Sequence, residues 1–257
     1  MRNNSKFKIF LSFFAISQFL YNFMASHSED SLFETIWEFL PGILKAFSVV
    51  GVIALLFQII GISSQSDGYQ FAKNFARDYN VKVGKAESAV KVIYFFDLQC
   101  PGCKGNDPIL TEVREKYKDR IQFVYRNFPL SIHTFAKPAA RGAQAVALQD
   151  PEKYFKFKDE VFAIQNEIST DNIAKAAKKV GVDFAKWDKD RTSSEIIKQV
   201  EWDLRDANST MVPNPKGEML PLTGTPSTVI VKNGIAVETF GSITVTEFGT
   251  KLDKYLR

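Results

Sequence analysis

The stretch "YFFDLQCPGCKGNDP", residues 94–108, holds both cysteines of the chain, Cys100 and Cys103, just after an aromatic run. Upstream, "AVKVIYFF" (89–96) is a near-continuous run of β-favouring residues, the pattern of a strand buried on both faces. Downstream, Ile109, Val113 and Tyr117 recur at four-residue spacing and predict a helix from Pro101 to Tyr117. The cysteines therefore stand where a strand hands over to a helix. Unpaired amide N–H groups and the positive end of the helix dipole gather at such an N-terminus, so a thiol at Cys100 ionises more easily than a free one. Pro101 suits the first helical turn because its missing N–H is no loss there, Gly102 keeps the turn uncrowded, and Lys104 adds a positive charge nearby. Cys103 lies almost one turn later, within reach of a mixed disulfide on Cys100.

Two cysteines cannot build a disulfide framework, and a bridge across a two-residue spacer closes too short a loop to stabilise much, so the pair reads as chemical. A zinc site needs about four ligands, and the only histidines are His27 and His133; no metal is expected. His133 alone reads as a surface or loop histidine. No glycine-rich phosphate loop follows a strand, so no nucleotide or flavin cofactor is expected. The formal charge of +4, with Lys and Arg mixed among Asp and Glu, gives no basic stripe for nucleic acid. A hydrophobic content of 45% in 257 residues is ordinary for a globular core.

After the first helix, "IQFVYRNFP" (121–129) reads as a second strand. Residues 131–208 change to helical periodicity, in which Ala139, Ala140, Ala143 and Ala147 form a small-residue face for close packing. Two strands, "STVIVKN" (227–233) and "AVETFG" (236–241), are joined by the turn pair Asn233-Gly234. A last helix opens at Thr244 with Glu247 three residues on, a capping box. The order is strand, helix, strand, helical block, hairpin, helix.

The first 42 residues read as a signal-like or membrane-associated segment: Arg2, Lys6 and Lys8 precede an apolar run from Ile9 to Phe14. Translation starting at Met24 is an alternative reading of that stretch. Residues 43–62, "ILKAFSVVGVIALLFQIIGI", match a bilayer core at about 1.5 Å per residue and predict a transmembrane helix. If the first segment also spans, the large domain returns to the cytoplasm; if not, it lies outside. Residues 63–87, polar with a weak helical pattern in Phe71, Phe75 and Tyr79, read as a linker, and residues 88–257 as the folded domain.

Taken together, "FFDLQCPGC" after a strand, the helical insertion at 131–208 and "GTPSTVIVKNG" (224–234) resemble the DsbA-like branch of the thioredoxin-fold thiol:disulfide oxidoreductases. The resemblance covers residues 85–257 and implies an α/β thioredoxin fold with a helical insertion. It further implies that Cys100 is the nucleophile, that Cys103 is the resolving thiol, and that Pro226 is a cis-proline facing the pair, with Thr225 before it. By the same likeness the backbone there binds an extended substrate segment, and Pro108 kinks the active-site helix. Three features depart from the pattern. Pro101-Gly102 replaces the histidine-containing dipeptide of strong oxidants, Tyr94 stands where relatives keep a buried acid with Asp97 nearer the pair, and residues 209–222 lengthen the loop before Pro226.

The implied function is that of a membrane-tethered enzyme forming or exchanging disulfides in exported proteins. A membrane redox partner reoxidises it, and its catalytic domain lies on the extracytoplasmic side. A reductase or isomerase of the same fold, a non-redox membrane-anchored binding or chaperone module, and a cytoplasmic-side enzyme on two spans are the alternatives.

Overall fold

A computed structural model describes residues 75–257. The expected signal-like segment (1–42), the transmembrane helix (43–62) and the first half of the linker lie outside the described residues. Among the described residues no helix is long and apolar enough to cross a membrane.

The run before the cysteines forms strand β2 (Val90–Phe96), and "IQFVYRNFP" supplies β3 (Gln122–Asn127), parallel to it. The C-terminal strands are β6 (Ser227–Lys232) and β7 (Ile235–Phe240), joined by Asn233 and Gly234 at φ 52° and 82°. Those left-handed values are what an Asn-Gly hairpin turn requires. β6 pairs antiparallel with β2, and β7 pairs antiparallel with β6.

A fifth strand, β1 (Val81–Gly84), lies in the stretch read above as linker. It pairs antiparallel with β3, giving the sheet order β1-β3-β2-β6-β7. The linker reading is thereby corrected over its second half. Phe75 is buried, and Arg77, Tyr79 and Asn80 hydrogen-bond to Asp206 and Asp203 far along the chain. The polar composition that suggested a spacer is that of an arm tied down by ion pairs and hydrogen bonds as well as by the apolar contacts of Phe75 and Val81.

Burial on both faces explains the apolar density of β2. Val92, Tyr94 and Phe96 enter one core and Ile93 and Phe95 the other, as period-two alternation dictates. The first core lies against α1 (Pro101–Tyr117) and the C-terminal helix α7 (Val245–Leu256), which opens with the expected Thr244–Glu247 capping box. Between β3 and β6 the chain forms α2 (Ala136–Gln149), α3 (Pro151–Ala163), a 3-10 turn (Gln165–Glu167), α4 (Thr170–Lys179), α5 (Phe184–Asp190) and α6 (Ser194–Ser209). Ser169, Asp183 and Ser193 cap the last three of these helices through their side chains.

The small-residue face of α2 lets its neighbours approach closely. At Gly142 a Cβ would lie 3.2 Å from both Phe157 and Trp187, and the Trp187 indole donates to the Gly142 carbonyl at 2.9 Å. The extra residues before Pro226, expected as a loop, are a small antiparallel hairpin of β4 (Met211–Pro213) and β5 (Met219–Pro221). Val212 and Leu222 anchor it in the second core beside Ala207 of α6.

Candidate active site

Cys100 caps α1 and Cys103 sits in its first turn, with the amides of Cys103 and Lys104 donating to the Cys100 carbonyl at 3.0 and 3.2 Å. Pro101 opens the helix, and Pro108 lies within it. Cys103 is fully buried against the first core, whereas Cys100 retains 8% exposure. Both thiols are free.

The loop before β6 closes over the pair from the other side. Cys100 Sγ lies 3.5 Å from the Thr225 carbonyl oxygen, and the Thr225–Pro226 peptide is cis. A Cβ added at Gly102 would stand 3.3 Å from Pro226 Cδ and 3.7 Å from Cys100 Sγ. Thus Cys100, Cys103, Pro101, Gly102, Thr225 and Pro226, drawn from two regions more than 120 residues apart, meet in one place.

The two sulfurs are electrostatically unlike. Cys100 is lowered from about 9 to about 5, chiefly by a hydrogen bond from the Cys103 thiol, against a smaller opposing effect of burial. Thr225 and the amides of Cys103 and Gly102 add lesser contributions. Among the described residues the Thr225 hydroxyl has no other hydrogen-bond partner and can turn to the thiolate. The order of causes refines the sequence expectation: the helix N-terminus helps, but the neighbouring thiol helps more. Burial, and then the hydrogen bond to Cys100, hold Cys103 far above the ordinary thiol range.

Tyr94 is fully buried, and its hydroxyl accepts from Asn106 of α1 at 3.4 Å. Burial first, and the adjacent Cys103 second, hold the phenol protonated well above its ordinary value, so it offers no base beside the pair.

Sequence reasoning missed what surrounds residues 97–100. The Asp97 carboxylate accepts from the amides of Gln99 and Leu130 at 2.7 and 3.0 Å, and lies 2.7 Å from His133 Nδ1. His133 is a loop histidine, as one of the two readings had it, but its ring is tied to Asp97. Gln99 Oε1 accepts from the Phe135 amide at 2.6 Å, and Gln165 Nε2 donates to the carbonyls of Leu98 and Cys100, both at 3.0 Å. Apart from the Gln99 amide, two residues from Asp97, the partners stand about 33 to 67 residues apart, so no local pattern announces them.

Comparison with known proteins follows the same lines. A family model described as Thioredoxin matches residues 77–214, more than half of the chain. The chain is 27% identical over 213 residues to the probable disulfide bond formation protein D of Bacillus anthracis, covering 79% of this chain and 91% of that one. It is also 29% identical over 129 residues to the Na(+)/H(+) antiporter NhaA 1 of Mycolicibacterium gilvum, covering 49% of this chain and 21% of that protein. The chain thus spans about a fifth of the length of the first curated relatives it matches. Among solved structures, alpha-DsbA1 of Wolbachia pipientis superposes with a TM-score of 0.61 at 18% identity, covering 72% of this chain and 96% of that one, a likeness of fold. Because the family match runs from just ahead of β1, through both cysteines and the inserted helices, to β4, the chain belongs to the thioredoxin family.

Proposed function

We propose that this protein is a DsbA-type thiol:disulfide oxidoreductase acting on cysteine-containing exported proteins through Cys100 and Cys103. The observation that carries this reading is the asymmetry of the pair: an acidic, slightly exposed thiol beside a buried one that keeps its proton. A substrate thiolate attacks Cys100 Sγ of the disulfide, and Cys103 departs and takes up a proton. A second substrate thiolate then attacks the substrate sulfur, and Cys100 leaves as a thiolate, so that two electrons pass from substrate to enzyme. A leaving group of low pKa leaves fast, and a stabilised thiolate favours the reduced pair, which makes the disulfide oxidising. The Cys103 thiol and Thr225, with lesser help from the Gly102 amide, supply here the stabilisation that a histidine between the cysteines would give, which favours oxidase over reductase or isomerase.

In this reading Thr225 and Pro226 bind the extended client beside Cys100, as strand addition would. Residues 43–62 cross the membrane once and hold the domain, residues 88–257 with its arm, on the extracytoplasmic side. Tethering raises the effective concentration of the pair near a membrane redox partner that reoxidises it. The decisive experiment is glutathione equilibration of the full chain together with an assay of disulfide formation in a reduced client. A pair as reducing as cytosolic thioredoxins would replace oxidase by reductase. Protease treatment of intact spheroplasts tests the orientation, since resistance of the domain would place it inside.

Gly102 offers a milder probe. A methyl group there presses on Pro226 Cδ at 3.3 Å, so Gly102→Ala moves the Thr225–Pro226 loop away from the sulfur. The expected loss in kcat/KM toward a dithiol client is about tenfold, since small misplacements of reacting groups are costly. Stability should hold or rise, because alanine favours a helix over glycine by up to about 1 kcal/mol. Client oxidation kinetics and thermal melting read the two effects separately.

A further inference from the structure

Asp97 is the residue at which both cysteines meet the backbone. Its carbonyl accepts from the Cys100 amide at 3.1 Å, and its own amide N–H points at Cys103 Sγ at 3.4 Å. Residue 97 lies just past the end of β2, so the strand ladder does not fix it. The side chain does. Fully buried, it takes the amides of Gln99 and Leu130 on separate oxygens, and Oδ2 also contacts His133. Leu130 and His133 belong to the connection between β3 and α2, which Gln99 grips again through the Phe135 amide.

We infer that Asp97, clamped by His133, is a positioning residue for the resolving thiol: it keeps the Asp97 amide aimed at Cys103 Sγ and thereby sets how oxidising the pair is. A donor on the Cys103 sulfur polarises that thiol and strengthens the hydrogen bond it gives the Cys100 thiolate, because linked hydrogen bonds reinforce one another. The reduced pair gains, and the disulfide becomes the stronger oxidant. A role by charge alone has the opposite sign. A buried carboxylate near a thiolate disfavours it, so deleting that charge would make the pair more oxidising.

The sign of one equilibrium therefore decides. The inference deepens the oxidoreductase reading and rests on it for its use, but it is measured without any client. The full chain is equilibrated in glutathione buffers, where the Cys100–Cys103 disulfide and two glutathione thiols exchange with the dithiol and glutathione disulfide, two electrons and two protons moving together. The redox state is then read by thiol alkylation and mass spectrometry. Asp97→Asn should shift the equilibrium about tenfold toward the protein disulfide, which is about 30 mV for a two-electron couple. His133→Gln should shift it the same way by less, and the double variant should not exceed Asp97→Asn. A shift toward the dithiol, or none beyond twofold in either variant, overturns the inference. Should Asp97→Asn fail to fold, His133→Gln decides, since that ring is partly exposed. A parallel client assay keeps the two claims apart: an unmodified protein that exchanges with no client refutes the oxidoreductase reading, while the glutathione shift still judges Asp97.

Discussion

Serine at Cys100 reduces thiol–disulfide exchange to the uncatalysed background, while serine at Cys103 abolishes client oxidation but still lets Cys100 form a mixed disulfide with an oxidised client. A hydroxyl neither ionises in the working pH range nor forms a disulfide, so Cys100→Ser has no attackable sulfur at the exposed position. With Cys103→Ser no internal disulfide can form, but in the reverse direction the Cys100 thiolate still attacks a client disulfide and expels one client thiolate, and no partner thiol remains in the first turn of α1 to release the resulting mixed disulfide. Covalent client complexes then accumulate as slow-migrating bands on a non-reducing gel and vanish on reduction. If both variants exchanged like the parent chain, the pair would have no chemical role, and a binding module on the same fold would replace the enzyme.

The pH profile carries the same prediction further. Cys100 ionises at about 5 in the folded protein, so its alkylation rate should stay flat from pH 8 to about 6.5 and fall as pH drops through 5. Cys103→Ala removes the largest stabiliser and should move that midpoint upward; Cys103→Ser, whose hydroxyl can still donate, should move it less. Linkage gives the sign for folding. The folded pKa is depressed, so the stabilisation of the reduced protein is complete above the unfolded value near 9 and is lost as pH falls through 5. The oxidised protein has no such group. Denaturation of the two forms side by side should show their difference changing across that window.

What the sequence made legible was whatever is encoded locally. The β-branched run of β2, the four-residue spacing of α1, the Asn233-Gly234 turn and the Thr244–Glu247 capping box each bear a signature within a few residues, and each stands where expected. The cysteine pair was legible for the same reason. β1 was not, because only Val81 and Val83 mark it, and its pairing with β3 depends on a segment some 40 residues away. His133 looked isolated because its partner Asp97 is 36 residues distant. Arg126 is the sharpest case. It sits in a strand whose six residues are all buried, where a guanidinium would be excluded were its partners not brought by α6.

Those partners set the second large expectation, that Asp203→Ala destabilises the fold by about 3–5 kcal/mol, the usual cost of stripping one member from a buried ion pair. Asp203 is fully buried and accepts from Arg126 Nε and Nη2 at 2.9 and 2.7 Å, the Tyr79 hydroxyl at 3.0 Å, Asn80 Nδ2 at 3.1 Å and the Asn127 amide at 3.0 Å. Alanine takes these away, along with the longer contact from Asn127 Nδ2 at 3.3 Å, while Asp206 keeps hold of Arg126 Nη2 at 2.6 Å. Each buried donor left without a partner costs about 1–3 kcal/mol, and a domain has only about 5–15 kcal/mol in total, so the variant should lie near the edge of unfolding. The loss should be largest in the arm at residues 77–80, which Asp203 and Asp206 pin to α6, and hydrogen exchange of the β1 amides should accelerate first. Replacing Arg126 and Asp203 together by leucine should recover part of the stability, because a paired buried charge contributes little more than well-packed apolar atoms while an unpaired one is expensive. A urea titration of the three proteins tests this. A loss below about 1 kcal/mol for Asp203→Ala would mean that water reaches the cluster, and that the arm is held by Phe75 and the β1–β3 ladder instead of by charge.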